Sequence, residues 1–298
     1  TEWDRAASAY AKAAKRTGSR AVMMSTMQEA MPEETRAWLI ENNIVPMQGL
    51  DDCLHALECA AWIGQRQREV QEGRVPVAIT SLNDVGNGDT EVLDEWDSKR
   101  ALAEFGLSVP EARLVSADEA PAAATEVGFP VVLKMVSSEI THKTDVGGVA
   151  LHLNSEDAVQ HAVEGMVDLS DKFLVERMIG GAVAELIIGV EHDQHFGPVL
   201  VVGAGGVFVE LLRDSRTLLL PLSREQASEA IGSLKVASLL RGYRGGPAGD
   251  FEAAVDAVMA VASFADANRD TVRELDVNPL LVFEKGAVAV DALIRQIK

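Results

Sequence analysis

The chain has no run of about 18 or more apolar residues, the length a membrane-crossing helix requires. Its opening residues do not read as a secretory signal. Cysteine is scarce: Cys53 and Cys59 fall in one predicted helix at a spacing that suits neither a disulfide nor a metal site, as expected of a reducing cytoplasm. Basic charge is also short, with 27 Lys and Arg against 46 Asp and Glu and a net charge of −19. So acidic a chain lacks the basic surface that nucleic-acid backbones demand, although a single nucleotide needs only a local cluster. The P-loop signature G-x-x-x-x-G-K-[ST] is missing. Gly203, Gly205 and Gly206 match a dinucleotide fingerprint only in part, because Phe208 stands where the last glycine belongs.

What is present is an ordinary globular composition, 47% hydrophobic and 24% charged, over 298 residues, enough for two or three domains. Residues 1–72 alternate helix and strand, the pattern of a parallel sheet covered by helices, here half of a doubly wound domain. The chain opens on a helix where such a unit needs a strand, so a piece of something longer is expected. Residues 73–97, with Asn83, Asp84, Gly86, Asn87, Gly88 and Asp89, read as an interdomain linker. From Ser98 to the C-terminus helices and strands resume, with a first part over 98–172 and a second over 173–298 beginning at the strand that carries Glu176.

The most informative stretch is VVLKMVSSEITHKTDVGGVAL, Val131 to Leu151. A lysine inside an apolar strand costs much unless it reaches water or an anion. Lys134 therefore reads either as a snorkelling edge residue or as a phosphate ligand, and its neighbours Lys143, His142 and the Gly147-Gly148 pair favour phosphate. His142 reads as an exposed loop histidine or as a phosphoryl acceptor. Glu176 and Glu185 flank a Gly180-Gly181 turn, as solvated strand residues or as holders of ribose hydroxyls near an adenine edge at Met178. Glu210 is equally ambiguous. In the terminal hairpin, Asp276 and Asn278 lie two apart on one strand and so share a face. A two-residue turn at Lys285-Gly286 would bring Asp291 to that face, giving oxygen ligands suited to Mg²⁺; the alternative is a solvated hairpin face.

The segments FPVVLK, ITHKTDVGGV, LVERMIGG, ELIIGV, FGPVLVVGAGGVFVELLRD and ELDVNPLLV, in this order, resemble the ATP-grasp region of the nucleoside-diphosphate-forming acyl-CoA synthetases, relatives of succinyl-CoA synthetase. EETRAWLIENNIVPMQGLDDCLHAL resembles the end of the flavodoxin-like CoA-ligase domain preceding it in fused members. The resemblance implies an α/β ATP-grasp fold of two subdomains that holds ATP with Mg²⁺. Lys134 would hold the phosphates with Lys143 nearby, the Gly147-Gly148 strand would cover them, and Glu176, Arg177 and Met178 would form the adenine hinge. Glu185 would lie near the ribose, and Glu210 is kept as a further candidate cofactor-binding residue. Asn278 and Asp291 match the metal ligands, with Asp276 beside them, and His142 matches a second phosphoryl carrier. The implied reaction joins a carboxylate to coenzyme A at the expense of ATP, through acyl phosphate and phosphohistidine. The principal phosphohistidine and the coenzyme A fold would sit on a partner domain or subunit, in an enzyme expected to be an oligomer. A nucleotide-sensing module without turnover and a carboxylate–amine ligase are the alternatives.

Overall fold

The computed structural model describes residues 2–27, 30–73, 89–136, 146–193, 195–206 and 214–298. Two compact units divide the chain, Thr1–Val77 and Ala78–Lys298.

In the first unit, α1 (Glu2–Thr17), β1 (Ala21–Ser25), α2 (Glu33–Glu41), β2 (Ile44–Gln48) and α3 (Leu50–Gln71) follow the expected alternation. The two strands pair in parallel, Ala21 opposite Ile44. Pro32 stands at the start of α2 with Glu33 and Glu34 in its first turn, where fixed φ and negative charge suit the exposed N–H groups. A small core of Ala7, Met31, Leu39 and Ile44 holds the unit together. Helix α3 buries Cys53 and leaves Leu54, Leu57, Trp62 and Ile63 exposed.

The second unit is built on two sheets. One is antiparallel, with β4 (Ala112–Ser116), β5 (Val131–Met135), β6 (Val149–Leu153) and β7 (Lys172–Arg177) in the order β4-β7-β5-β6. Helices α5 (Ala120–Val127) and α6 (Glu156–Glu164) close its inner face around Leu133, Met135, Phe173 and Val175. Strand β7 corrects the expected division at residue 173. Its residues Phe173 to Glu176 are buried between β4 and β5, so the strand expected to open the second part is an inner strand of the first.

The other sheet runs β10-β9-β8-β11-β13-β3, with β12 on β11. Its strands are β3 (Thr90–Leu93), β8 (Ala184–Asp193), β9 (Gly197–Ala204), β10 (Ser215–Leu219), β11 (Val272–Val282), β12 (Ala287–Ala289) and β13 (Ala292–Ile297). Helices α7 (Arg224–Ser233), α8 (Ala237–Leu240) and α9 (Phe251–Ala267) complete this layer, and the apolar face of α9, Val255, Val258, Val261 and Ala265, lies in its core. The C-terminal end of the expected linker is folded: Thr90–Leu93 pairs with β13, and α4 (Glu95–Ala103) follows at once. The helix starts there because the Asp94 carboxylate accepts the Asp97 N–H at 2.9 Å.

The Gly203–Gly206 run is a packing device. The Gly205 N–H donates to the Glu185 carbonyl at 2.7 Å, and a Cβ at Gly205 would lie 3.0 Å from the Glu185 carbonyl carbon. Gly205→Ala is expected to cost about 1–3 kcal/mol through overpacking, read as a lower urea midpoint.

Candidate active site

Lys134 lies in the middle of β5, all of whose residues are buried, so its ammonium must find counter-charges inside the protein. It finds them on α4, on β7 and in the β12–β13 connection. Its Nζ donates to Glu95 Oε1 at 2.5 Å and to the Val290 carbonyl at 2.9 Å, and lies 3.7 Å from Glu176 Oε1. Burial alone would depress the Lys134 pKa, but the charges of Glu95, Glu176 and Asp291 outweigh it and hold the pKa above the usual lysine range. Lys134 is therefore charged at neutral pH.

Lys99 completes the cluster from α4. It donates to Glu95 Oε1 at 2.9 Å, to Glu176 Oε2, and to the Val290 carbonyl at 3.4 Å. The side chains of Lys99, Glu95 and Glu176 are 3–4% exposed, and that of Lys134 is 11%. Two ammoniums and two carboxylates thus form a closed, buried square linking the four-stranded sheet, α4 and the β12–β13 connection. Glu95 and Lys99 were absent from the sequence-derived site.

Next to Val290 stands Asp291. The hairpin connection is Phe283 to Gly286, closed by a Phe283 N–H to Gly286 carbonyl bond of 3.0 Å, rather than the two-residue turn expected at Lys285-Gly286. Both connections contain an even number of residues, so the facing is the same. Val277 pairs with Ala292, and the Asn278 N–H reaches the Asp291 carbonyl at 3.3 Å, which sets Asp291 across from Asn278. Asp276 accepts a hydrogen bond from the Asn278 side chain; burial and then the charge of Glu274 push its pKa up, against that hydrogen bond. A register shift against β8 falls between Val277 and Leu280. Among the described residues no three His, Cys, Asp or Glu side chains are grouped to hold a metal. The hairpin instead offers two carboxylates and an amide, a sparse oxygen set of the kind Mg²⁺ uses when water and phosphate fill the remaining positions.

The other expected residues distribute unevenly. Gly147, with φ +75°, adopts a left-handed backbone that favours glycine, and the Gly148 carbonyl accepts the Met135 N–H at 2.8 Å; Val149 then pairs with Lys134. The diglycine therefore opens the strand alongside the lysine. Strand alternation turns the Glu176 carboxylate inward to Lys99 and Lys134. The same alternation turns Arg177 the other way, to the Val127 carbonyl at 2.5 Å. The Met178 N–H is engaged by the Pro130 carbonyl at 3.0 Å. Glu185 packs against Gly205 and Gly206. His142, Lys143 and Glu210 lie outside the described residues.

Comparison with known proteins decides the family. Residues 84–295 match the ATP-grasp domain model. This chain belongs to the ATP-grasp family. The ATP-grasp chain is 36% identical over 228 residues to the β subunit of Pyrococcus furiosus ADP-forming acetate–CoA ligase II, covering 73% of this chain and 97% of that subunit. It is 38% identical over 206 residues to ADP-forming acetate–CoA ligase II of Archaeoglobus fulgidus, covering 68% of this chain but 30% of that longer protein. Among solved structures, the dinucleotide-forming acetyl-coenzyme A synthetase 1 of Ca. Korarchaeum cryptofilum, in complex with coenzyme A, Ca-AMPCP and HgCl⁺, superposes with a TM-score of 0.64 at 38% identity. That match covers 68% of this chain and 93% of the other. The ATP-grasp chain is thus the β-subunit-like portion of an ADP-forming acid–CoA ligase. Among the described residues no helix is long and apolar enough to cross a membrane.

Proposed function

We propose that this ATP-grasp chain binds Mg–ATP where its two sheets meet and transfers the terminal phosphoryl group within an ADP-forming acyl-CoA synthetase of the cytoplasm. The complete reaction would convert a carboxylate, coenzyme A and ATP to acyl-CoA, ADP and phosphate through acyl phosphate and phosphohistidine. One observation carries the reading: a charged, nearly buried Lys134 lies against Val290, one residue from Asp291, opposite which Asn278 stands.

The residues present fit the chemistry. A carboxylate oxygen leaves poorly until phosphorylated, and the catalyst of phosphoryl transfer acts mainly by positioning and by neutralising charge. Lys134 supplies a fixed cation whose geometry is set by Glu95 and the Val290 carbonyl, so little reorganisation is needed when phosphate arrives. Asp276, Asn278 and Asp291 would hold Mg²⁺ on one hairpin face. Bound there, Mg²⁺ would supply charge neutralisation at the phosphate oxygens. The Gly147 turn brings strand β6 beside Lys134 with little side-chain bulk.

The partner would be the CoA-binding and ligase region, on another subunit or elsewhere in a longer chain. Two features support it: the Pyrococcus relative is a β subunit, and a Korarchaeum structure with Mg-AMPPCP shows a phosphohistidine segment pointing towards its nucleotide-binding site. The exposed apolar residues of α3 are consistent with a covering partner.

Lys134→Ala is expected to weaken Mg–ATP binding at least about tenfold, measured by calorimetry on the full chain. An unchanged affinity in a folded variant refutes the reading. Binding without transfer of ³²P from labelled ATP to this chain or to a supplied CoA-binding partner would leave a sensing module instead.

A further inference from the structure

The cluster contains one lysine more than a phosphate ligand requires. Lys99 has three N–H donors, and Glu95, Glu176 and the Val290 carbonyl take all three. Among the described residues Lys134 spends two donors, on Glu95 and Val290, while Glu176 Oε1 at 3.7 Å lies beyond hydrogen-bond reach. Lys134 is also the more exposed of the two, 11% against 4%. Lys134 is therefore the better placed of the two to meet an anionic ligand, and Lys99 is committed to its neighbours.

Charge gives Lys99 its purpose. Lys134 alone between Glu95 and Glu176 would form a site of net charge −1, more negative still with Asp291 nearby, and such a site repels phosphate. Adding Lys99 brings the square to neutrality. Resting on the nucleotide-binding reading above, we propose that Lys99 is a positioning residue that cancels the Glu95 and Glu176 carboxylates and so leaves the Lys134 charge available to an anionic ligand. Lys99 acts through its neighbours and touches no ligand. Glu95 is the matching member: it fixes the Lys134 ammonium in place and would overcompensate it without Lys99.

The test uses the full chain with Mg–ATP, Mg–ADP and adenosine as calorimetric probes. Lys99→Met is expected to weaken Mg–ATP binding about tenfold or more, the order expected of one unit charge at a partly screened site, and Mg–ADP less. Adenosine binding should not change. The double variant Glu95→Gln with Lys99→Met restores neutrality and should bring Mg–ATP affinity back to within about threefold of the parent chain. A purely structural role for Lys99 predicts the opposite: parallel loss for all three probes and no recovery in the double variant. Should Lys99→Met fail to fold by circular dichroism, Glu95→Gln alone decides. It leaves the cluster at net +1 and should tighten Mg–ATP several-fold over adenosine; unchanged or weaker Mg–ATP binding overturns the proposal. A parent chain that binds no nucleotide would overturn both this inference and the functional reading, whereas parent binding without the charge-dependent pattern overturns the inference alone.

Discussion

Replacing Glu176 with alanine is expected to cost the fold about 3–5 kcal/mol, because it leaves buried cations without enough counter-charge. Lys99 and Lys134 would then share the single carboxylate of Glu95, with the Val290 carbonyl as their other common acceptor. Lys99 cannot turn to water, since its side chain is 4% exposed, and Lys134 keeps only a narrow opening at 11%. Nor does Lys134 shed its proton near neutrality. Its pKa stands above the ordinary lysine range, so its ionic contribution is fully present at neutral pH and is lost only as pH rises through that elevated value. Urea unfolding at pH 7 measures the effect as a lower midpoint with an unchanged slope. Glu176→Gln should cost less, because the amide oxygen still accepts from Lys99. The exposed Arg224–Glu252 pair provides a contrast: the bond is short at 2.6 Å, but water screens it and removing Glu252 should matter little. If Glu176→Ala and Glu252→Ala shift the midpoint alike, water reaches the cluster and the buried-square description fails.

The two units differ in how much of their structure could be read from the residues. In the first, Pro32, Glu33 and Glu34 mark a helix start, and short apolar runs at Ala21 and Ile44 mark strands, all by local chemistry. Lys134, the diglycine and the hairpin acids were legible because a charge amid valines, or a pair of glycines, violates a local expectation. Glu95 and Lys99 violate none. At i and i+4 near a helix start they look like a solvent-facing pair. The buried stripe of α4 is Glu95, Ser98, Lys99 and Leu102, helical in spacing but polar at three of its four positions, so hydrophobic periodicity does not reveal it. Ser98 is buried for a tertiary reason, accepting the Ile294 N–H at 3.2 Å from a strand far along the chain. The membership of β7 was hidden similarly. An apolar strand does not announce which sheet it joins, and only its pairing with β4 and β5 settles that. The inward turn of Glu176 to Lys99 then follows from that pairing.

Asp291→Ala is expected to raise the Mg²⁺ concentration needed for half-maximal nucleotide binding on the order of a hundredfold, since the site has few protein ligands to lose. Asp291 and Asp276 are the two carboxylates of the hairpin set, but they are not equivalent. Asp276 is half-buried, its pKa is raised by burial and by Glu274, and its carboxylate is engaged by Asn278; it is less ready to give its charge to a cation. Asp291 is exposed, lies opposite Asn278, and contributes to the field at Lys134. The order of effect should therefore be Asp291→Ala greater than Asp276→Asn. A second consequence separates metal binding from a change in fold. Removing Asp291 withdraws a negative charge near Lys134, so metal-free ADP should bind no more weakly than in the parent chain, and more tightly if repulsion dominates. Calorimetric titrations with and without Mg²⁺ distinguish the outcomes. Loss of the Mg²⁺ dependence with metal-free ADP affinity intact identifies Asp291 as a metal ligand. An unaltered Mg²⁺ midpoint in a folded Asp291→Ala chain would reduce the hairpin acids to a solvated face and leave Lys134 as the phosphate-directed part of the site.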